Sequence, residues 1–503
     1  MSKVILIYPK FPIQEGPKFN VPMGPLHLGT YLEDKGIRSV FIDGNIEDSY
    51  EDLLREELLD CTCVGISAMT SQLPDALAVC ALIKKKFNSD IPIVFGGVHA
   101  TLFPVQTVNN YLIDYAVIGE GEDALYNLIM ALEGKEDFEN VEGLVYRDSD
   151  NNTQVIRKSH NFDFSTMPVI NYRLLSKQVL EQFEENFVGM ITSRGCPHRC
   201  TFCINTVVKE NKKWRTWDTE KTMEEIESLL SLGCNKIYFW DENFFVNKKR
   251  VEEILDNIES KKLKFEWFAN VRADYFKDSY LNSDALKRLY NAGCRRFGIG
   301  AESGSQRMLD YMCKDITVEQ ILNSARQCET SGIRPTYSFM IGLPGEKKED
   351  AKLTIDIIGN ILKLCSNARI LGPQLFRPYP GSDLYLECLK SGLKEPVSLE
   401  DWSKAIMTDF MESNPYQMPW IEDPEFVNIA WFYSLFLSAS AGRICQLFIE
   451  YCRVYKKGLL FSILGLLGVI ILIGAGRVRY KFGFGKFAVE ISLFKKYRSV
   501  ISC

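Results

Sequence analysis

The residues best able to do chemistry in this sequence are three cysteines within eight positions, Cys196-Pro197-His198-Arg199-Cys200-Thr201-Phe202-Cys203. The spacing is C-x3-C-x2-C, and it follows an apolar run over 187–191 and a glycine, Gly195. A strand ending there puts three thiolates on one short loop. Three thiolates can hold three corners of a cubane iron–sulfur cluster, leaving the fourth iron open to a small molecule. The competing readings are a zinc site and three buried cysteines without a chemical role. A structural zinc site takes four ligands; His198 could be the fourth, but no second C-x-x-C pair stands nearby. The missing fourth cysteine favours the cluster.

The rest of the chain has to position that loop. With 503 residues it has room for two to four domains. It is 46% hydrophobic and 25% charged, an ordinary globular balance. A net charge of −6 carries no nucleic-acid footprint, which would be basic. The fifteen cysteines are odd in number and scattered apart from the cluster. The N-terminus, MSKVILIYPK, enters a strand at once and has no secretory apolar region. Together these predict a reducing cytoplasm, where a local cysteine cluster means metal or catalysis rather than disulfides. The other cysteines are expected to be small buried apolar residues; Cys61 and Cys63 would share one face of a strand.

Residues 1–150 alternate short apolar strands (4–8, 39–43, 63–69, 92–95 and 115–118) with helical patterns (26–35, 72–86 and 122–132). This predicts a doubly wound, Rossmann-like α/β domain with a parallel sheet covered on both faces. Glycines or small residues follow several strand ends, where open parallel sheets bind ligands. Residues 151–186 read as a linker. From 187 the alternation resumes, with strands predicted at 188–193, 236–240, 266–271, 296–300, 336–341 and 370–375. The helices between them fall at 222–232, 249–260, 283–292, 318–331 and 351–364. Six such units over 187–395 suit a partial (β/α)6 barrel of the TIM type, with the cysteines at the top of its first strand. Residues 396–503 read as a helical C-terminal region.

C-x3-C-x2-C with an aromatic before the last cysteine, opening a partial barrel, resembles the radical S-adenosylmethionine superfamily. The resemblance implies a [4Fe–4S] cluster on Cys196, Cys200 and Cys203, whose free iron chelates S-adenosylmethionine. It also implies cleavage to a 5′-deoxyadenosyl radical that takes hydrogen from an unactivated C–H bond. Phe202 then matches the aromatic position near the adenine. Asp241, in Trp240-Asp241-Glu242-Asn243, falls in the polar segment facing the methionine moiety. Glu302 and Ser303, in Gly298-Ile299-Gly300-Ala301-Glu302-Ser303-Gly304, resemble the family's G-x-E-S segment. Arg272 ends the third strand and Gly342-Leu343-Pro344-Gly345-Glu346 the fifth. For each of these the plain alternative is an ordinary turn.

The first domain is similar to the cobalamin-binding domain of the B12-dependent members. The residues that carry this likeness are Pro25-Leu26-His27-Leu28-Gly29, Ser67-Ala68-Met69-Thr70, Gly96-Gly97-Val98-His99-Ala100-Thr101 and Gly119-Glu120-Gly121-Glu122. Thr70, Gly96, Gly97, His99 and Gly119 become its candidate contacts, since glycines admit close approach and hydroxyls can bond the nucleotide tail. One departure stands out: D-x-H-x-x-G, which supplies a cobalt-binding histidine elsewhere, is absent. The chain has only four histidines, at 27, 99, 160 and 198. His99 is expected to contact the tail or its loop, His27 and His160 to be structural, and His198 to face solvent. The alternative is a flavodoxin-like domain that no longer binds cobalamin. The likeness spans roughly residues 1–390.

The stretch 458–476 holds nineteen residues without a charge, flanked by basic residues. As a helix it would run about 28 Å, close to a bilayer core. The two readings are membrane association at the inner face and a buried helix or hairpin that closes the barrel. The whole predicts a cobalamin-dependent radical enzyme that methylates an unactivated carbon of a small-molecule or lipid-like substrate, with a reductant such as flavodoxin or ferredoxin. The alternatives are an oxidative cyclase or carbon–carbon bond-forming enzyme, and a non-catalytic membrane-tethered metal- or cobalamin-binding protein.

Overall fold

Alternating residues of one strand feed two separate cores in the first domain. Ile5 and Ile7 lie in one buried cluster and Val4 and Leu6 in another. A strand that is apolar on both faces must be covered on both, and each such side chain contributes about 1.5–3 kcal/mol on full burial. In the computed structural model the described residues are 2–12, 19, 21–47, 50–87, 90–156, 162–208, 212–405, 415–438 and 478. They form two compact units.

The first unit carries the doubly wound sheet. Strands β1 (Lys3–Tyr8), β2 (Arg38–Asp43), β3 (Cys63–Ser67), β4 (Ile93–Gly96) and β5 (Tyr115–Val117) are parallel, in the order β2-β1-β3-β4-β5. The order reverses between β1 and β3, and at such a switch point the carboxyl ends open a crevice. Two further strands, β6 (Leu144–Arg147) and β7 (Thr153–Val155), add antiparallel beyond β5. They escaped the sequence pattern because the polar tip between them, where Asn151 is left-handed at φ 64°, reads as loop. The stretch 151–186 therefore contains a strand and the short helix Lys177–Leu180. The helix Tyr50–Glu57 was also missed, because only Leu54 of it is buried.

The same unit holds the start of the barrel. Strands β8 (Val188–Met190), β11 (Lys236–Phe239) and β12 (Glu266–Val271) are parallel, with helices Thr219–Ser231 and Lys248–Ser260 between them. Asp218 and Asn247 cap those helices by accepting from the amides of Lys221 and Arg250 at 2.8 and 3.2 Å. The predicted strand 188–193 is broken: Ser193–Arg194 (β9) leaves it to pair antiparallel with Arg215–Thr216 (β10). Gly195, at φ +85°, then turns the chain into Cys196.

The second unit holds β13 (Cys294–Glu302), β14 (Arg334–Ile341) and β15 (Arg369–Leu375), again parallel and alternating with helices Val318–Ser331 and Lys348–Leu364. A helix over Pro424–Ser438 covers Ile341 and Leu375 with Phe426, Val427 and Ala430. The chain is thus α/β, with a doubly wound domain and the six strands of a partial (β/α)6 barrel. Most of the cysteines outside the loop, Cys63, Cys80, Cys294 and Cys328 among them, are buried, and no disulfide joins the described cysteines. The stretch 458–476 and His160 lie outside the described residues. Among the described residues no helix is long and apolar enough to cross a membrane.

Gly97 sits at φ +88°, and a Cβ there would lie 2.8 Å from the Ala68 carbonyl oxygen. Gly97→Ala should cost about 1–3 kcal/mol and lower the melting temperature. An unchanged thermal unfolding curve would show that the turn can move aside.

Candidate cofactor and cluster sites

In the first unit the carboxyl ends of β3, β4 and β5 open into a cavity of about 410 Å³. Gly96, Gly97 and Gly119 line it, as their positions in strand-end turns predict. Thr70 and His99 lie outside that lining. Their side chains face each other, Thr70 Oγ1 to His99 Nδ1 at 3.2 Å. The His99 ring packs on Phe103 and Trp402, at centroid distances of 5.3 and 5.9 Å. Burial pushes the imidazole down to about 4, so it is neutral at physiological pH. It serves the packing of the turn behind Gly97.

The other wall of the cavity escaped sequence reasoning. Arg194 donates from Nη1 to Glu120 at 3.1 Å, and from Nη2 to Glu122 at 2.5 Å and to His27 Nδ1 at 3.0 Å. Arg215, its cross-strand partner, donates to both oxygens of Glu120 at 2.7 and 2.9 Å. Two arginines facing each other across a ribbon repel, and the Glu120 carboxylate between them cancels that. The arginines hold Glu120 below the usual carboxylate range although burial pushes it the other way. Glu122 also gains from opening the helix Glu122–Leu132, where the helix dipole favours an anion. Burial and then Arg194 push His27 well below its ordinary range. A guanidinium can only donate, so Nδ1 of the neutral ring is the acceptor and Nε2 carries the proton. Glu120 and Arg194 lie 74 residues apart, so no local spacing announced the pair.

Trp240 and Glu242 also line the cavity, but Asp241 between them turns away. It is fully buried and accepts from the Thr192 hydroxyl at 3.0 Å and from the Ser193 hydroxyl. Burial raises its pKa, with Arg250 pulling it back. The structure thus places Asp241 as a brace for residues 192–193.

The second unit holds most of the cysteine loop. The Thr201 amide donates to Met312 O at 3.0 Å, and the Leu384 amide donates to Thr201 O at 3.2 Å, which clamps the turn between Cys200 and Cys203. His198 Nε2 lies 3.4 Å from the Tyr275 hydroxyl, so it is half-buried rather than facing solvent. Arg272 donates to the carbonyls of Lys314 and Asp315 at 2.7 and 3.3 Å and pairs with Asp274 at 2.9 Å. Glu302 adopts φ 61°, a strained conformation for a side chain with a Cβ. It accepts from Lys314 Nζ at 3.0 Å, and that ammonium lies 5.7 Å from the centre of the Phe202 ring. Burial lowers the Lys314 pKa, but Glu302 and then Cys200 more than offset this, so it stays charged. Ser303 is fully buried, beside Thr354 Oγ1 at 3.1 Å and accepting from the Ser305 amide. Phe202, Glu302 and Lys314 are therefore brought together. Ser303 and Arg272 support the backbone behind them.

The donor set suits a cubane. Among the described residues no three His, Cys, Asp or Glu side chains converge as they would on a single ion. A cubane does not ask for that, because each thiolate takes a separate iron. Three cysteines on one clamped loop meet its need.

A crevice in a doubly wound domain, followed by barrel strands and a three-cysteine loop, is the arrangement that the resemblance to the B12-dependent radical enzymes implies. Family models agree: the radical SAM superfamily matches residues 190–358 and the B12 binding domain residues 17–129. An uncharacterized methyltransferase of Pyrococcus horikoshii is 30% identical over 378 residues, 74% of this chain and 79% of that one. The anaerobic magnesium-protoporphyrin IX monomethyl ester cyclase of Rubrivivax gelatinosus is 27% identical, over 76% and 68% of the two chains. The radical S-adenosylmethionine methyltransferase TsrM of Kitasatospora setae, solved with cobalamin and a [4Fe-4S] cluster, superposes with a TM-score of 0.66 at 19% identity, covering 78% of each chain. The chain belongs to the radical S-adenosylmethionine enzymes that carry a B12-binding domain. The cofactors of that family are a [4Fe–4S] cluster, S-adenosylmethionine and cobalamin.

Two predictions follow from this geometry. Arg194→Met strands Glu122 as a buried charge, a loss of about 3–5 kcal/mol when one partner of a buried pair is removed. Hydroxocobalamin titrated by visible absorbance should bind at least about tenfold more weakly, roughly 1.4 kcal/mol; wild-type affinity would remove Arg194 from the cavity wall. Burial pushes Glu346 up to about 8, against the Gly342 amide that donates to it. Between about 4.5, its ordinary value, and about 8 the folded state holds a proton that the unfolded state lacks. Stability should be full at the low end of that window, fall by about 2–4 kcal/mol across it and then level. Glu346→Gln should flatten the melting temperature between the same limits, and a slope equal to wild type would place the titration elsewhere.

Proposed function

We propose that the protein transfers a methyl group to an unactivated carbon of a small-molecule substrate. Such a carbon is neither acidic nor nucleophilic, so polar methylation by a sulfonium fails. When bound, the cluster and S-adenosylmethionine supply a hydrogen-abstracting carbon radical, and cobalamin supplies the methyl group. Cys196, Cys200 and Cys203 would hold the cluster, and Gly96, Gly97 and Gly119 would receive the cobalamin. The observation that carries the reading is the shared wall of the cavity. Arg194, two residues before Cys196, lines the same space as the strand-end glycines.

The chain's own part is to bind, orient and exclude water. The Arg194–Glu120–Glu122 network keeps charge at the cavity wall paired without solvent, and the clamped Thr201 holds the cysteine turn. A low-potential donor such as flavodoxin or ferredoxin would deliver single electrons. Fifteen scattered cysteines support a reaction in a reducing cytoplasm. The uncharged stretch 458–476 supports a lipid-like substrate met at the inner face of the membrane.

Similarity to a cyclase supports a second outcome, in which the same cofactors end in ring closure. The two separate by co-product. Anaerobically reconstituted, reduced protein with S-adenosylmethionine should release 5′-deoxyadenosine and, only when cobalamin is added, S-adenosylhomocysteine, both followed by mass spectrometry. Cys200→Ala should abolish cluster and nucleoside release together. Deoxyadenosine without any S-adenosylhomocysteine would favour the cyclase.

A further inference from the structure

The ammonium of Lys314 is buried in the second unit beside the turn that carries Cys200 and Cys203. Its backbone is held there deliberately. Cys313 and Asp315 on either side are both left-handed, at φ 49° and 53°, although neither is glycine. The Met312 carbonyl accepts from Thr201, inside the cysteine motif. Arg272 takes the carbonyls of Lys314 and Asp315. Strain of this kind costs about 1–3 kcal/mol per residue and persists only where surrounding contacts over-determine it. The result of this arrangement is a buried ammonium, 8% exposed, within 5.7 Å of the Phe202 ring centre, with the Arg272 guanidinium held on the backbone behind it. Its carboxylate partner, Glu302, is equally buried at 8%.

A buried ion pair is poor evidence of a stabilising role, since hydrophobic residues of like volume often do as well. It does place two opposite charges, poorly screened by water, at unequal positions beside the cysteine turn. The potentials of iron–sulfur clusters depend on local charge, hydrogen bonding and exposure.

We propose that Lys314 sets the reduction potential of the cluster on Cys196, Cys200 and Cys203, with Glu302 as the opposing charge. The step concerned is the gain of one electron by the oxidised [4Fe–4S]²⁺ cluster from a low-potential one-electron donor, giving [4Fe–4S]⁺. No bond is made or broken and no proton moves. The product carries one more negative charge, so a neighbouring ammonium favours it and a neighbouring carboxylate disfavours it.

Removing either charge leaves the other alone, so the two neutral variants must act with opposite sign. The test is an anaerobic redox titration of the reconstituted full chain, without S-adenosylmethionine, followed by electron paramagnetic resonance. Lys314→Gln should lower the ratio of reduced to oxidised cluster at fixed potential about tenfold, equivalent to about 59 mV for a one-electron couple. Glu302→Gln should raise that ratio to a similar extent, and Lys314→Arg should stay within about threefold of wild type. Shifts of the same sign in both neutral variants, or no shift in either, would overturn the proposal and leave the pair a structural closure. If Lys314→Gln retains no iron, Glu302→Gln decides alone: a potential that does not rise defeats the idea. The inference rests on the cluster reading. Iron and sulfide analysis of the unaltered protein tests that reading separately, and its failure there would remove both.

Discussion

A charge taken out of water has to find its partner inside the protein, and the functional elements of this chain are arranged around that requirement. Arg194 enters the buried region because its strand leaves the barrel sheet to pair with Arg215. Once there it needs Glu120 and Glu122, and these stand where the fifth strand of the doubly wound sheet turns into its helix. Those carboxylates lie next to Gly119 and Gly121, which leave room for a ligand. Satisfying one guanidinium therefore ties a strand end that leads into Cys196 to the wall of a cofactor cavity. The same rule operates in the second unit, where Lys314 and Glu302 answer each other beside the cysteine turn.

Paired charges of this kind are rigid. Their energies suffer steeply from misplacement, because either partner alone is far more costly than both together. A radical enzyme gains from that rigidity, since an unguarded radical attacks whatever lies nearest. Glycines make the complementary contribution. Gly97 lets the backbone turn tightly against Ala68, where a Cβ would lie 2.8 Å from the carbonyl oxygen. Gly300 leaves space that a Cβ would take from Glu302, coming within 2.3 Å of its carboxylate.

Much of the fold was legible in the sequence, because strands apolar on both faces and the helices between them leave a repeating pattern. Helix boundaries such as Glu122–Leu132 and Val318–Ser331 fell where the sequence pattern placed them. The antiparallel pair β6 and β7 did not, because edge strands with polar tips look like loops. The cysteine loop was legible from its spacing alone, and the strand-end glycines from their position. Roles within polar clusters were not. Asp241 and Ser303 stand in segments that resemble ligand contacts, and the structure shows the hydrogen bonds they make to Thr192, Ser193, Thr354 and Ser305. Thr70 and His99 chose each other. Arg194 and Lys314 gave no signal and His27 read only as structural; the Arg194–His27 contact spans 167 residues, and no spacing rule reaches that far.

The proposed cubane on Cys196, Cys200 and Cys203 keeps one iron open. It is tested most directly by electron paramagnetic resonance of the anaerobically reduced protein before and after addition of S-adenosylmethionine. A [4Fe–4S]⁺ signal is expected, with g-values that shift when the sulfonium compound binds the free iron. A signal indifferent to that addition, or protein carrying zinc in place of iron, would contradict it.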